Sequence, residues 1–313
     1  MKEKLIVIVG PTAVGKTALG VKLAQKYGGE IISGDSMQVY KEMDIGTAKV
    51  TEEEQEGVPH YLIDIKNPNE SFSVAEFQER CVPLITNINR NKKIPLLVGG
   101  TGLYVNAIIK QYQFEAMPTD ETYRQELEQL ATSVGNHEIH NMLEKVDPQA
   151  AKSIHPNNLR RVIRALEVTK ATGIPFSKQQ TAEDSESPYD YVMIGLTMDR
   201  QKLYERIDDR VDLMMEQGLL KEVKFLYERG IRDCQSVQAI GYKEIYEFLE
   251  GSATLEEAVD KLKQNSRRYA KRQLTWFRNK TNTTWFDVSA GMNQQTFNEI
   301  CLFIEGEFPS LSN

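Results

Sequence analysis

Gly10-Pro11-Thr12-Ala13-Val14-Gly15-Lys16-Thr17 follows directly on the apolar run Leu5-Ile6-Val7-Ile8-Val9 and leads through Ala18-Leu19 into a helical pattern. Consecutive apolar residues, mostly β-branched, predict a strand buried on both faces. The spacing Gly, four residues, Gly-Lys-Thr then fills the strand-to-helix corner. Gly10 and Gly15 permit backbone angles that a side chain would forbid, so successive N–H groups can converge on one anion-sized hollow at the positive end of a helix. Lys16 adds a mobile positive charge, and the Thr17 hydroxyl is placed to ligate Mg²⁺. A glycine-rich turn that matches by chance is the plainer reading, but the strand before and the helix after favour a phosphate-binding loop. The loop alone does not say which phosphate it holds.

Working outward, Ala18 to Tyr27 reads as a helix stopped by Gly28-Gly29. Residues 30–34 read as a second strand, delivering Asp35-Ser36-Met37-Gln38. In an open α/β sheet the carboxyl ends of the strands face the same crevice, so Asp35 is expected near Lys16. A strand is expected at His60 to Ile65, a helix at Val74 to Asn89 capped by Ser73, and a strand at Ile94 to Val98. That last strand runs into Gly99-Gly100-Thr101-Gly102 and a further helix, a second corner with Thr101 at its tip. Alternating strands and helices predict a mostly parallel sheet flanked by helices. From Pro118 the pattern is helical only: Thr119 to Ala131, His137 to Lys145, Pro148 to Ile154 and Asn157 to Thr172, ending in an acidic, serine-rich loop from Thr181 to Pro188. Tyr191 to Thr197 restores a strand, and helices alone are expected from there to the end. The implied division is 1–117, core; 118–190, a helical insertion; and 191–313, completion of the core. No internal repeat or low-complexity segment is present.

With 313 residues, 40% hydrophobic and 27% charged, the chain has the composition of a soluble globular protein with a sizeable core. The net charge of −7 argues against nucleic acid coating the whole molecule, but not against a local basic face. Cys81, Cys234 and Cys301 are widely spaced, which indicates neither a disulfide framework nor a zinc site and fits a reducing cytoplasm. The amino-terminal apolar run is too short for a signal peptide or a membrane span.

Three groups of cations stand out. Arg206 and Arg210 lie four apart on a helix predicted from Gln201 to Gln217, so both guanidinium forks leave one face, suited to gripping a diphosphate. Glu205, Asp208 and Asp209 are close enough to make them ordinary surface ion pairs instead. From Lys261 to Lys280 there are eight Lys or Arg and no Asp or Glu, interleaved with Tyr269, Trp276 and Phe277. This reads as a helix with buried aromatics and a positive face for RNA phosphates. Arg160, Arg161 and Arg164 open the helix after His155-Pro156-Asn157. One feature of an ATP-hydrolysing enzyme is missing: the best apolar strand, 95–98, ends in Gly-Gly-Thr rather than an acid, with Asp64 a weak substitute. The cradle therefore suits a phosphate that leaves rather than one that is transferred.

GPTAVGKTAL from Gly10, SGDSMQVYKEMDIGTAK from Ser33, PLLVGGTGLY from Pro95, HPNNLRRVIRALEV from His155, SVQAIGYKE from Ser236 and KRQLTWFR from Lys271 together closely resemble the bacterial tRNA dimethylallyltransferases, also called tRNA isopentenyltransferases. The likeness runs from about Leu5 to Trp285. Val50 replaces an expected proline, and Lys41-Glu42 a basic-Gly pair, neither at a catalytic position. The resemblance implies a P-loop NTPase-like α/β fold in which residues 10–17 bind the diphosphate of dimethylallyl diphosphate, and transfer of the prenyl group to N6 of the adenosine 3′ to the tRNA anticodon. Lys16, Mg²⁺ on Thr17, Arg206 and Arg210 would neutralise the departing diphosphate. Asp35 would accept the amine proton, and Thr101 would orient the adenine or the bridging oxygen. The adenine would be flipped into a channel lined by Asp35, Ser36, Met37 and Gln38, with Thr101 and Arg124 at its mouth. Leu159, Arg160, Arg161, Val162 and Ile163, with Lys271 and Arg272, would bind the anticodon stem-loop. A cytoplasmic monomer is expected.

A small-molecule kinase with Arg206 and Arg210 as lid arginines is the main rival. A transferase acting on free adenine nucleotides would need neither the insertion nor the basic helix, and a GTPase-like switch would need an NKxD-type stretch that is absent.

Overall fold

The computed structural model describes residues 2–112, 120–179 and 186–312. These fall into two compact units, 1–109 with 187–313 and 110–186. Thr119 and most of the expected loop from Thr181 to Pro188 lie outside the described residues.

The larger unit begins β1 (Glu3–Val9), α1 (Lys16–Tyr27), β2 (Gly29–Ser33), α2 (Glu52–Gln55), β3 (His60–Tyr61), α3 (Val74–Arg90), β4 (Ile94–Val98) and α4 (Gly102–Ile109). The smaller unit contains α5 (Glu121–Val134), α6 (Asn136–Val146), α7 (Pro148–Ser153), α8 (Leu159–Thr172) and α9 (Phe176–Gln179). The larger unit resumes with β5 (Tyr189–Thr197), α10 (Arg200–Gln217), α11 (Leu219–Glu228), α12 (Tyr242–Leu249), α13 (Leu255–Lys280), β6 (Thr284–Asp287) and α14 (Gln294–Glu307).

The strands form one parallel sheet in the order β3-β2-β4-β1-β5-β6. β1 lies inside it, and its alternating side chains serve two cores. Leu5, Val7 and Val9 pack on one face with Phe77, Tyr104 and Phe277, while Ile6 and Ile8 pack on the other with Leu19, Ile194 and Ile300. Both faces being covered is why the strand is apolar without alternation. Each such side chain contributes about 1.5–3 kcal/mol on burial. Among the described residues no helix is long and apolar enough to cross a membrane.

Three expectations need correction. The strand expected at His60 to Ile65 is only His60–Tyr61, because Leu62 and Asp64 take left-handed backbone angles, φ 62° and 55°, that end the ladder. The strand expected from Tyr191 begins at Tyr189, paired with Glu3. The carboxyl-terminal segment is not helical throughout, since Thr284–Asp287 pairs with β5 and extends the sheet by one edge strand. Elsewhere local chemistry holds. Ser73 caps α3 by accepting the Glu76 N–H, and β4 spans the expected residues.

Candidate active site

A cleft of about 320 Å³ opens in the larger unit where the loops after β1 and β2 meet α10 and α13. Thr12, Ala13, Asp35, Ser36, Met37, Arg210, Tyr269 and Arg272 line it. The phosphate loop carries one unfavourable backbone conformation, Ala13 at φ 64°. Lys16 folds back over the loop, its Nζ donating to the Pro11 carbonyl at 2.8 Å. Burial pushes the Lys16 pKa down to about 8; Asp35 opposes that shift and Arg210 adds to it. Burial likewise lowers the pKa of Arg210, with Glu54 and Asp35 opposing and Arg206 adding. Lys16, Asp35 and Arg210 therefore sit close enough for their charges to act on one another, with the exposed Arg206 just beyond.

Asp35 is oriented by its own loop. Its Oδ1 accepts the N–H groups of Met37 (2.8 Å) and Gln38 (3.3 Å), which leaves Oδ2 without a hydrogen bond among the described residues. The Thr101 hydroxyl is buried without a well-formed hydrogen bond, the Tyr269 hydroxyl being the group placed to interact with it. The Tyr269 hydroxyl neighbours it, and burial pushes that phenol's pKa up to about 12, with Asp35 adding to the shift.

Gln273 of α13, buried between the two corners, ties them together. Its Oε1 accepts the Thr12 N–H at 2.9 Å and its Nε2 donates to the Gly100 carbonyl at 3.1 Å. A Cβ on Gly100 would lie 2.1 Å from that nitrogen, so the close approach requires glycine there.

The IPP transferase family model matches residues 38–280, more than half of the chain. The chain belongs to this family. The tRNA dimethylallyltransferase of Halalkalibacterium halodurans is 61% identical over the full length of both chains, and that of Bacillus cereus strain AH187 is 58% identical over all of this chain and 98% of its own. The solved full-length tRNA isopentenylpyrophosphate transferase of Bacillus halodurans, 60% identical, superposes with a TM-score of 0.76 over 99% of this chain and 98% of that one. A eukaryotic dimethylallyltransferase acting on tRNA, 32% identical, gives a TM-score of 0.82 over 98% of this chain and 80% of that one. The family and the P-loop NTPase-like fold are those that the six sequence stretches indicated.

Several residues singled out in the sequence have other partners. Gln38 does not line the cleft. Its Nε2 donates to the carbonyls of Thr47 (3.3 Å) and Ala48 (3.2 Å), and its Oε1 accepts from Ser33. Val162 and Ile163 are buried in the core of the helical unit with Ile139 and Leu143, because α8 turns its apolar face inward. Arg160 and Arg161 remain exposed, and Leu159 is half-buried. Arg124 and Arg164 both pair with buried Glu167, at 3.0 and 2.8 Å. Asp64 pairs with Lys49 at 2.6 Å. On α13, Lys261, Lys263 and Arg267 pair with Glu247, Asp212 and Asp208. Arg268, Lys271, Arg272, Arg278 and Lys280 are left exposed, Arg272 standing over the Tyr269 ring at 5.6 Å.

The charge pattern had not marked Gln273. The only sequence signal was its place in the stretch KRQLTWFR.

Proposed function

We propose that the chain transfers the dimethylallyl group of dimethylallyl diphosphate to N6 of the adenosine 3′ to the anticodon of tRNA, releasing diphosphate. The observation that carries this reading is that Lys16, Asp35 and Arg210 lie within electrostatic reach of one another, with Asp35 and Arg210 lining one cleft and Tyr269 of that cleft beside the buried Thr101 hydroxyl. Two cations and a loop of backbone N–H groups suit a leaving group that acquires charge as the allylic C–O bond breaks. As N6 bonds to the allylic carbon, Asp35 Oδ2 accepts the proton that the amine must lose. An exocyclic amine is a poor nucleophile, so holding it in line contributes more than basicity. Thr101 donates its hydroxyl proton to the bridging oxygen or to a purine nitrogen.

Among the described residues there is no cluster of three or more His, Cys, Asp or Glu side chains to cage a metal. That fits Mg²⁺, which takes most of its shell from phosphate oxygens and water. The exposed Thr17 hydroxyl, on the first turn of α1, is the protein ligand we assign to it. Bound there, the ion would neutralise diphosphate charge.

The anticodon stem-loop is held by its backbone, through Lys271 and Arg272 on α13 and through Arg160 and Arg161 on α8 in the helical unit. The adenine is extruded to reach the cleft. The enzyme works in the cytoplasm as a monomer. Incubation with dimethylallyl diphosphate labelled in the prenyl group, Mg²⁺ and unmodified anticodon stem-loop should place the label on the adenosine 3′ to the anticodon. Label on another base, or none, would contradict the reading.

A further inference from the structure

Glu222 on α11 accepts three consecutive backbone N–H groups: Asp44 and Ile45 on Oε2 at 2.8 Å each, and Gly46 on Oε1 at 3.0 Å. The Tyr242 hydroxyl donates to the same Oε1 at 2.6 Å. Four donors on one carboxylate are charge-assisted bonds, stronger than their neutral counterparts, and they hold an otherwise irregular loop. Gly46 lies against the hydroxyl end of the Tyr242 ring, where a Cβ would come within 2.5 Å of a ring carbon. Gln38 grips the next two residues through the carbonyls of Thr47 and Ala48.

Gly46, Thr47 and Ala48, held in this way, form part of the cleft wall, together with the apolar side chains of Met37, Ile240 and Leu262. Glu222 itself does not line the cleft. The stretches around 46–49 and 240–244 supply no group that the proposed chemistry uses, yet both converge on this carboxylate.

We propose that Glu222 is a positioning residue for prenyl transfer: by fixing the 44–48 wall it sets the width of the donor cleft and makes the chain selective for a short allylic diphosphate. The inference rests on the transferase reading. An amide at position 222 would keep the volume but offer one acceptor oxygen and confront the N–H groups with its own donors. A wall freed on one side admits a longer prenyl chain and holds the short one less firmly.

The test compares the wild type with Glu222→Gln and Tyr242→Phe, the latter removing a single donor and keeping the ring. kcat and KM are measured with dimethylallyl and geranyl diphosphates on tRNA, and amide hydrogen exchange is followed over residues 43–49. In Glu222→Gln, exchange at 44–46 should quicken about tenfold. KM for dimethylallyl diphosphate should rise about tenfold, and the preference for dimethylallyl over geranyl donor should fall about tenfold, with tRNA affinity unchanged. Tyr242→Phe should move the same quantities two- to threefold, and it decides the matter if Glu222→Gln does not fold. A kcat reduced only in proportion to folded protein, with wild-type KM, donor preference and exchange, would overturn the inference alone. A wild type that transfers neither prenyl group would instead overturn the transferase reading, and this inference with it.

Discussion

The side-chain carbonyl of Gln273 accepts the backbone N–H of Thr12 at 2.9 Å, joining the basic helix α13 to the phosphate loop. The same amide holds the carbonyl of Gly100, the residue before Thr101. One neutral side chain thus ties the loop after β1 to the corner that carries Thr101.

Replacing Gln273 by Met keeps the volume and removes both bonds. The buried Gly100 carbonyl is then left unpaired, at about 1–3 kcal/mol, and the half-buried Thr12 N–H loses its partner at a smaller cost. We expect a stability loss of about 2–4 kcal/mol by denaturant titration. In the folded fraction kcat should fall at least tenfold, while Lys271 and Arg272 still bind tRNA. Wild-type turnover in a folded Gln273→Met protein would show that the bridge is dispensable.

Asp35→Asn retains an oxygen for the Met37 and Gln38 N–H groups but cannot take a proton from the amine. Turnover should drop by about 10²–10⁴-fold, the usual contribution of a positioned acid or base. Filter binding should give tRNA affinity within twofold of wild type. Equal losses in rate and affinity would assign Asp35 a structural role.

Lys16 has a folded-state pKa of about 8, below its ordinary value, chiefly because it is buried. A depressed lysine pKa means that folding disfavours the charged form. The charge therefore costs stability below about pH 8, and the cost fades as pH rises from there toward the unfolded value. Lys16→Met should leave the apo Tm at pH 7 equal to or above that of wild type, and should abolish the rise in Tm that diphosphate produces. In the wild type that rise should shrink above pH 8 as the ammonium is lost. Calorimetry over pH 6–10 with inorganic diphosphate would check both; a pH-independent rise would remove Lys16 from the anion site.

The α13 cations should divide into two classes. Lys271 and Arg272 are exposed, whereas Lys261 and Lys263 are paired with Glu247 and Asp212 at 2.6 Å. Removing Lys271 and Arg272 together should lower the slope of log K for tRNA against log salt by about one unit for each phosphate no longer neutralised. Removing Lys261 should change it little. Equal effects would show that RNA competes with the internal acids.

The parts legible in the sequence were those with a local signature. Leu5 to Val9 and Ile94 to Val98 are continuous apolar runs, which only a strand covered on both faces explains. Ser73 three residues before Glu76 marks a helix start. β6 was missed because Thr284–Asp287 is a short edge strand, half-buried at Trp285 and Phe286, with no apolar run to announce it. His60 to Ile65 looked like a strand because composition does not reveal the left-handed turns at Leu62 and Asp64. At the site, the glycine-rich motif made Lys16 visible, a strand end made Asp35 visible, and the four-residue spacing from Arg206 made Arg210 visible. Gln273 and Glu222 act through hydrogen bonds to backbone groups remote in sequence, which leave no period or spacing to read. The basic run from Lys261 overstated the RNA face, since the acids that neutralise part of it lie up to 59 residues away.

The central claim is that the loop at residues 10–17 holds a group being expelled rather than one being transferred. Dimethylallyl diphosphate carrying ¹⁴C in the prenyl group and ³²P in the diphosphate, incubated with the protein, Mg²⁺ and unmodified tRNA, tests this directly. The account predicts ¹⁴C in the tRNA and an equimolar amount of ³²P as free diphosphate, with no requirement for ATP. Recovery of ³²P in the tRNA, or label transfer that depends on ATP, would contradict it.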